Sequence, residues 1–395
     1  MIRLTLLRHG DDTVGQTIKH RSREMPNRLV AFTEMRRPVV FWNITSRCNL
    51  SCPQCYISAG APSENELSTD EAKALMDDLA SMRVPLLMFT GGEPLLRPDL
   101  WKLVGHAQEL GIKSAVSTNG TMLTDAVAAR MKQAGVEYVG VSLDGARQRT
   151  HDSIRGEGSY AKAISGLEAC VRVGLKSGIR ITATKDNYGE IPELLDLTAE
   201  LKVPRFCLYW LVPSGRGRSA YEEKQLDRGQ VGAVFDLLYK KAKELSPDVM
   251  EILTVDAPQD GAYLLDRLAA DKDSELANAL SLLECTGDSC SAGDRVANID
   301  PQGNVYPCQF TQHSDMRIGN VRDRMFSQMW NDNTNPVLSG FRNKKQTIHG
   351  RCQDCPSMGT CGGGCRARAY YEGGDIAASD PFCIIGENGK INGSR

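Results

Sequence analysis

The sequence predicts an α/β protein: an open, partial (β/α)6 barrel of TIM-like plan, followed by a small cysteine-rich domain with a β-hairpin. Three observations predict it. Six short, β-rich apolar runs alternate with helix-period stretches between residues 39 and 217. Such alternation on short connections makes a parallel sheet covered by helices, and six units are too few to close an eight-stranded barrel. The pattern changes after about residue 215, and from Cys285 the chain is rich in Cys, Gly and Asp.

Residues 1–38 form an N-terminal lead. The barrel, 39–217, begins with a strand at Val39–Ile44, and further strands are expected at Leu86–Thr90, Lys113–Ser117, Tyr138–Leu143, Gly178–Thr184 and Arg205–Leu211. A helix starts at Ser68, where Glu71 completes a capping box, and runs through Leu75, Leu79 and Met82. Another spans Asp125–Ala134. Ligands of such a sheet collect at the carboxyl ends of its strands. Residues 218–284 read as a charged helical linker. In the domain 285–385, "VANIDPQGNVYPC" reads as a hairpin turning at Pro301–Asn304. Residues 386–395 read as a tail.

Composition narrows the function classes. The 395 residues carry a net charge of −2, from 47 basic and 49 acidic side chains, with no Lys/Arg block. Nucleic acid is therefore not expected as a partner. No apolar run reaches the ~18–20 residues of a membrane helix. The start "MIRLTLLRHGDDTVGQ" has no apolar signal region, so a cytoplasmic location is expected. Thirteen cysteines are many for a reducing compartment, and clustering there points to metal or redox work. Cys170 and Cys207 stand alone in apolar surroundings and read as core filling.

Cys48, Cys52 and Cys55 follow directly on the first strand, at its carboxyl end. Three thiolates can hold a four-iron cluster with one iron open, or a three-cysteine zinc site. Other polar stretches stand at later strand ends: "TGGEP" with Gly91, Gly92, Glu93 and Pro94; "STNGT" with Ser117 and Asn119; "VSLDG" with Ser142 and Asp144; "HDSIRG" with Arg155; and "LVPSGRG" at 211–217. Paired glycines let backbone carbonyls approach a ligand ammonium, and Glu93 adds negative charge.

CxxxCxxC followed by an aromatic, here Tyr56, resembles the signature of the radical S-adenosylmethionine (SAM) superfamily, and the other stretches match that family in order and spacing over 39–217. The resemblance implies that the open iron chelates the amino and carboxylate groups of SAM. An electron from the cluster then cleaves the sulfonium, and the resulting 5′-deoxyadenosyl radical abstracts hydrogen. It also implies that GGEP meets the SAM amino group and Arg155 its carboxylate. Ser117, Asn119, Ser142 and Asp144 suit the ribose and carboxylate, and 211–217 edges the adenine.

Downstream, Cys352, Cys355, Cys361, Cys365 and Cys383 form one array, preceded by Cys290 and Gly303-x4-Cys308. This resembles the SPASM extension of radical SAM enzymes, which implies one or two auxiliary 4Fe–4S clusters. Cluster one would use Cys285, Cys290, Cys308 and Cys365; cluster two, Cys352, Cys355, Cys361 and Cys383. Cys285 stands outside the seven-cysteine pattern; without it, cluster one keeps an open iron. Full ligation makes an electron relay, partial ligation a substrate anchor. Paired CxxC spacing also suits zinc.

The N-terminal lead and "CGGGCRARAYYEGGDIAASDPFC" resemble radical SAM proteins that trim tetrapyrrole side chains in haem and haem d1 synthesis. Hydrogen abstraction from a propionate, with loss of carbon dioxide and one electron, gives a vinyl group, and an auxiliary cluster can take the electron. Carboxylate-rich macrocycles need guanidinium partners, for which Arg21, Arg23, Arg366 and Arg368 are candidates. The alternative is a maturase of a peptide or protein. Many of these carry a leader-binding module ahead of the barrel, and only 38 residues precede Val39. A second alternative is a non-catalytic metal-binding scaffold. The electron donor expected for the class is a ferredoxin or flavodoxin. No residue identifies itself as the catalytic acid or base; Tyr209, His313 and Asp315 are candidates by location alone.

Overall fold

The computed structural model describes residues 1–8, 37–286 and 290–385, side chains at 284–286 excepted. Seven parallel strands form its centre: β2 (Val39–Asn43), β3 (Leu87–Thr90), β4 (Ser114–Thr118), β5 (Val136–Ser142), β6 (Ser177–Ala183), β7 (Arg205–Trp210) and β8 (Glu251–Val255). Helices packed outside leave these strands buried on both faces, which is why they read as near-continuous apolar runs. In β3 every position is buried. Trp42 and Phe89, on paired positions of β2 and β3, pack with ring centroids 6.0 Å apart.

The expected six strands are all present within two residues of their ends, and the chain adds a seventh. β8 lies inside 218–284, a stretch expected to be helical throughout. Its run "EILTV" opens on a charge, Glu251, whose carboxylate pairs with Arg3 and, at 2.6 Å, with Arg205. Cations on both flanking strands neutralise it, so a buried strand can begin there. Arg3 belongs to β1 (Ile2–Arg3), which lies antiparallel to β8 and covers that edge.

The opposite edge is extended by the cysteine-rich part. β9 (Val296–Ile299) runs parallel to β2, and β10 (Asn304–Tyr306) and β11 (Gly319–Asn320) follow antiparallel. The expected hairpin, turning between Ile299 and Asn304, is thus part of one eleven-stranded sheet and not a separate layer. Ser68 and Glu71 cap the helix Thr69–Ser81 reciprocally, and Thr124 caps Asp125–Gln133. Cys170 and Cys207 are core residues. Among the described residues no helix is long and apolar enough to cross a membrane.

Candidate active site

Cys48, Cys52 and Cys55 line one cavity at the carboxyl ends of the strands, together with Tyr56, Gly91, Gly92, Ser117, Asn119, Ser142 and Arg155. Each thiol meets a donor. Asn119 Nδ2 stands 3.9 Å from Cys48 Sγ, Arg155 Nη1 3.8 Å from Cys52 Sγ, and the Ala59 N–H 3.4 Å from Cys55 Sγ. Burial raises the thiols of Cys48 and Cys52 above their ordinary value, so the thiolate forms need these donors and a bound cation. That donor set fits an iron–sulfur cluster. The segment 211–217 fastens this loop from behind. Arg216 donates to the carbonyls of Cys52 (3.0 Å) and Ala59 (2.6 Å), and Ser214 Oγ donates to that of Tyr56 (3.0 Å). Leu211 and Val212 of the same segment line the cavity.

The GGEP loop works partly by packing. A Cβ on Gly91 would lie 2.4 Å from the Thr45 carbonyl oxygen, and one on Gly92 2.1 Å from that of Arg47. The glycines let this loop close on the backbone leading into the cysteine motif, sealed by Gly92 N–H to Thr45 O at 2.7 Å and Glu93 N–H to Arg47 O at 2.8 Å. Glu93 is fully buried, and its carboxylate faces inward. It accepts from Thr118 Oγ1 (2.7 Å), Asn119 N (2.8 Å) and Leu95 N (3.2 Å), where Pro94 opens a short 3-10 turn. Its charge therefore braces the "STNG" turn instead of lining the cavity. Gly92→Ala is expected to push the Arg47 backbone out of place, to cost about 1–3 kcal/mol and to deplete iron. Wild-type iron content with an unchanged Tm would contradict it.

Asp144 likewise stands one layer back. It is fully buried and accepts from Arg155 Nε (2.5 Å), Gln54 Nε2 (2.8 Å) and Thr182 N (2.8 Å), so it aims Arg155 at the cavity. His151 Nδ1 accepts from the Asp144 N–H at 3.1 Å, and burial lowers its pKa to about 4, so it stays neutral there.

The downstream cysteines converge in two groups. Cys352, Cys355, Cys361 and Cys383 line one small cavity with Gly363 and Gly364. Cys308 packs against Cys290, and its thiol is raised by burial and by the charges of Cys290 and Cys365. These three are the described members of the expected first auxiliary set; the side chain of Cys285 lies outside the described residues. Gly362, Gly363 and Gly364 take φ of 60°, 89° and 80°. This run of left-handed residues, which glycine adopts without steric cost, joins Cys361 of one group to Cys365 of the other. Cys48, Cys52 and Cys55 line one cavity and Cys352, Cys355, Cys361 and Cys383 another.

The arginines expected to face substrate do not. Arg366 and Arg368 are fully buried. Arg366 donates to the carbonyls of Ile376 (2.8 Å), Ala378 (2.6 Å) and Gly363. Arg368 pairs with Asp380 at 3.0 Å. Both serve the cluster scaffold because the tight glycine turn leaves carbonyls and a carboxylate that need donors. Arg21 and Arg23 lie outside the described residues. Of the three location-based candidates, Tyr209 lines the cavity. His313 and Asp315 do not; both are on the surface, facing the Tyr370 hydroxyl.

Among the cavity residues that sequence reasoning missed are Arg180, Asp256, Gln309 and Phe310. Asp256 follows the unexpected strand β8, with φ 72°. Burial pushes its carboxyl up to about 7. A carboxyl raised on folding favours the folded state below its unfolded value, near 3.8, and that contribution is lost as pH climbs through about 7. Asp256→Asn is therefore expected to gain about 2–4 °C in Tm over wild type at pH 8 and less at pH 5. An equal Tm difference at both pH values would refute the assignment.

A half barrel of parallel strands with a three-thiol loop at the first strand end defines a SAM-cleaving iron–sulfur enzyme. Family comparison agrees: residues 42–198 match the radical SAM superfamily, and residues 290–356 match an iron–sulfur cluster-binding domain, SPASM. The chain belongs to the radical SAM superfamily, is an enzyme of it, and uses SAM and 4Fe–4S clusters. It is 39% identical to the Fe-coproporphyrin III synthase of Methanosarcina barkeri, over 96% of this chain and 93% of that protein. It is 38% identical to the pre-heme d1 synthase of Dinoroseobacter shibae, over 88% and 86%. It is 33% identical to the mycofactocin maturase MftC of Mycobacterium ulcerans, over 87% of each.

Proposed function

We propose that this enzyme removes or oxidatively decarboxylates a side chain of a tetrapyrrole on the route to haem or haem d1. The observation that carries the reading is the 39% identity to a synthase named for Fe-coproporphyrin III, spread over 96% of the chain. SAM at the first cluster supplies a hydrogen-abstracting 5′-deoxyadenosyl radical, with its electron drawn from a ferredoxin- or flavodoxin-type donor. The residues proposed to hold that cluster are Cys48, Cys52 and Cys55. Gly91, Gly92, Ser117, Asn119, Ser142 and Arg155 form the cosubstrate wall.

The cavity also suits an exit for the substrate's electron. Phe310 lines it, and packs both against Tyr56 (ring centroids 5.8 Å) and in the apolar groups of Cys308 and Cys365. Val212, another lining residue, packs against Cys365. Cys308 and Cys365 thus pack behind the cavity wall, which supports an auxiliary cluster at that position as the electron's acceptor. The test is anaerobic incubation of reconstituted enzyme with SAM, dithionite and either didecarboxysirohaem or iron-coproporphyrin III. Mass loss from one macrocycle, matched by 5′-deoxyadenosine, is expected. Formation of 5′-deoxyadenosine with both macrocycles unchanged would overturn the reading and turn attention to peptide substrates, the chemistry named for MftC.

A further inference from the structure

Among the described residues, Arg180 has no carboxylate partner, and it stands in the wall of the catalytic cavity. It comes from the middle of β6, where Gly140 on the neighbouring β5 clears its path: a Cβ there would stand 2.1 Å from Arg180 Nε. An isolated glycine inside a strand marks such a close approach. The guanidinium reaches Ser117 Oγ at 2.8 Å through Nη1 and Met88 Sδ at 3.8 Å through Nη2. The rings of Tyr138 and Tyr209 lie 5.8 and 5.9 Å from its centre. Its Nε has no hydrogen-bond partner among the described residues, and none of their carboxylates lies within ion-pair distance. Arg155, Arg368 and Arg97 are matched by Asp144, Asp380 and Asp99, and Arg366 and Arg216 spend their donors on backbone carbonyls.

A guanidinium partly withdrawn from water keeps its charge at a cost that an anion repays. It offers five donors, which the protein meets with Ser117 Oγ, a weak thioether acceptor in Met88 and the Tyr138 hydroxyl, leaving Nε without a partner among the described residues. Its fork matches a carboxylate bidentately. We propose that Arg180 is the anchor for a substrate carboxylate, with Tyr209 forming the wall beside it. The subsite takes the place of Arg366 and Arg368, which the scaffold consumes. The inference rests on the tetrapyrrole reading only for which molecule carries the carboxylate.

The test uses reconstituted holoenzyme and two probes. Iron-coproporphyrin III and its tetramethyl ester are titrated by the Soret band into wild type, Arg180→Gln and Arg180→Lys. Arg180→Gln is expected to weaken the acid about 10–100-fold and the ester not at all, with Arg180→Lys between. Undiminished binding of the acid to Arg180→Gln, or an equal loss in its affinity for SAM, would overturn the subsite. Because Arg180→Gln can fail to fold, wild type is also examined by saturation-transfer NMR with propionate and its neutral counterpart propionamide. Signal from propionate well above propionamide is expected, and equal signals would overturn the subsite. Absence of macrocycle binding to wild type, with propionate still bound, would refute the tetrapyrrole reading alone.

Discussion

Alanine at Cys52 is expected to abolish SAM cleavage, and alanine at Cys48 or Cys55 to do the same. The three sulfurs face one cavity, and each is met by a separate donor: Asn119, Arg155 and the Ala59 amide. Remove one thiolate and the cluster keeps two protein ligands in a site open to solvent. About four irons per chain should be lost, and 5′-deoxyadenosine should fall by more than about 100-fold, the scale on which essential groups act. The auxiliary sets draw on other cysteines and should keep their iron. Cys170→Ala is the matched control. That thiol lies in the core, away from every cavity cysteine, so its removal should cost about 1 kcal/mol and no iron. Anaerobic iron analysis and a product assay on both variants decide the matter. Full activity in a Cys48/Cys52/Cys55 triple alanine variant would show that SAM cleavage does not depend on a cluster held by these thiolates.

What could be read from the sequence follows from how local each signal is. Cysteine spacing is covalent, so the ligand groups are written in the chain itself. Cys352 and Cys383 are far apart in sequence, yet they line one cavity because the array between them is short and glycine-rich. The barrel strands were legible because burial on both faces leaves unbroken apolar runs. β8 was not, because its leading Glu251 is neutralised by Arg205 and Arg3, 46 and 248 residues away. Missing that strand hid Asp256 at its end. Arg180 was hidden for a related reason: its meaning depends on register, which pairs it with Ser142 and lets its side chain cross Gly140 to reach Ser117. Glu93 and Asp144 were found by position, but which way their carboxylates turn is decided by backbone amides of neighbouring strands ends, Asn119 and Thr182.

Arg366 and Arg368 show the opposite error, since charge beside a ligand cysteine suggested substrate while the structure makes it scaffold. The second large effect is expected there. Arg368 and Asp380 are both out of solvent, joined through two contacts at 3.0 and 3.1 Å. Arg368 also donates to the Asp256 carbonyl at 2.6 Å, beside the catalytic cavity. Asp380 accepts from the amides of Cys365 (2.8 Å) and Phe382 (3.0 Å), and its carbonyl accepts from the Cys383 amide (3.2 Å). Burial opposes the Asp380 charge, but Arg368 and these amides overcome it and hold the carboxyl below its usual value. One carboxylate therefore fixes the backbone at Cys365, from the first auxiliary set, and at Phe382, next to Cys383 of the second. Asp380→Ala strands a buried guanidinium and should cost about 3–5 kcal/mol, seen as a Tm lower by about 4–6 °C and a shortfall of auxiliary iron. Asp380→Asn keeps acceptors for the amides but not the charge, and should fall between. Adding Arg368→Met to Asp380→Ala removes the stranded charge and should recover part of the loss, because a buried pair deleted together costs less than either half alone. If the double variant is instead as unstable as the sum of the singles, the pair is not what couples the two sets, and the amide contacts alone hold them.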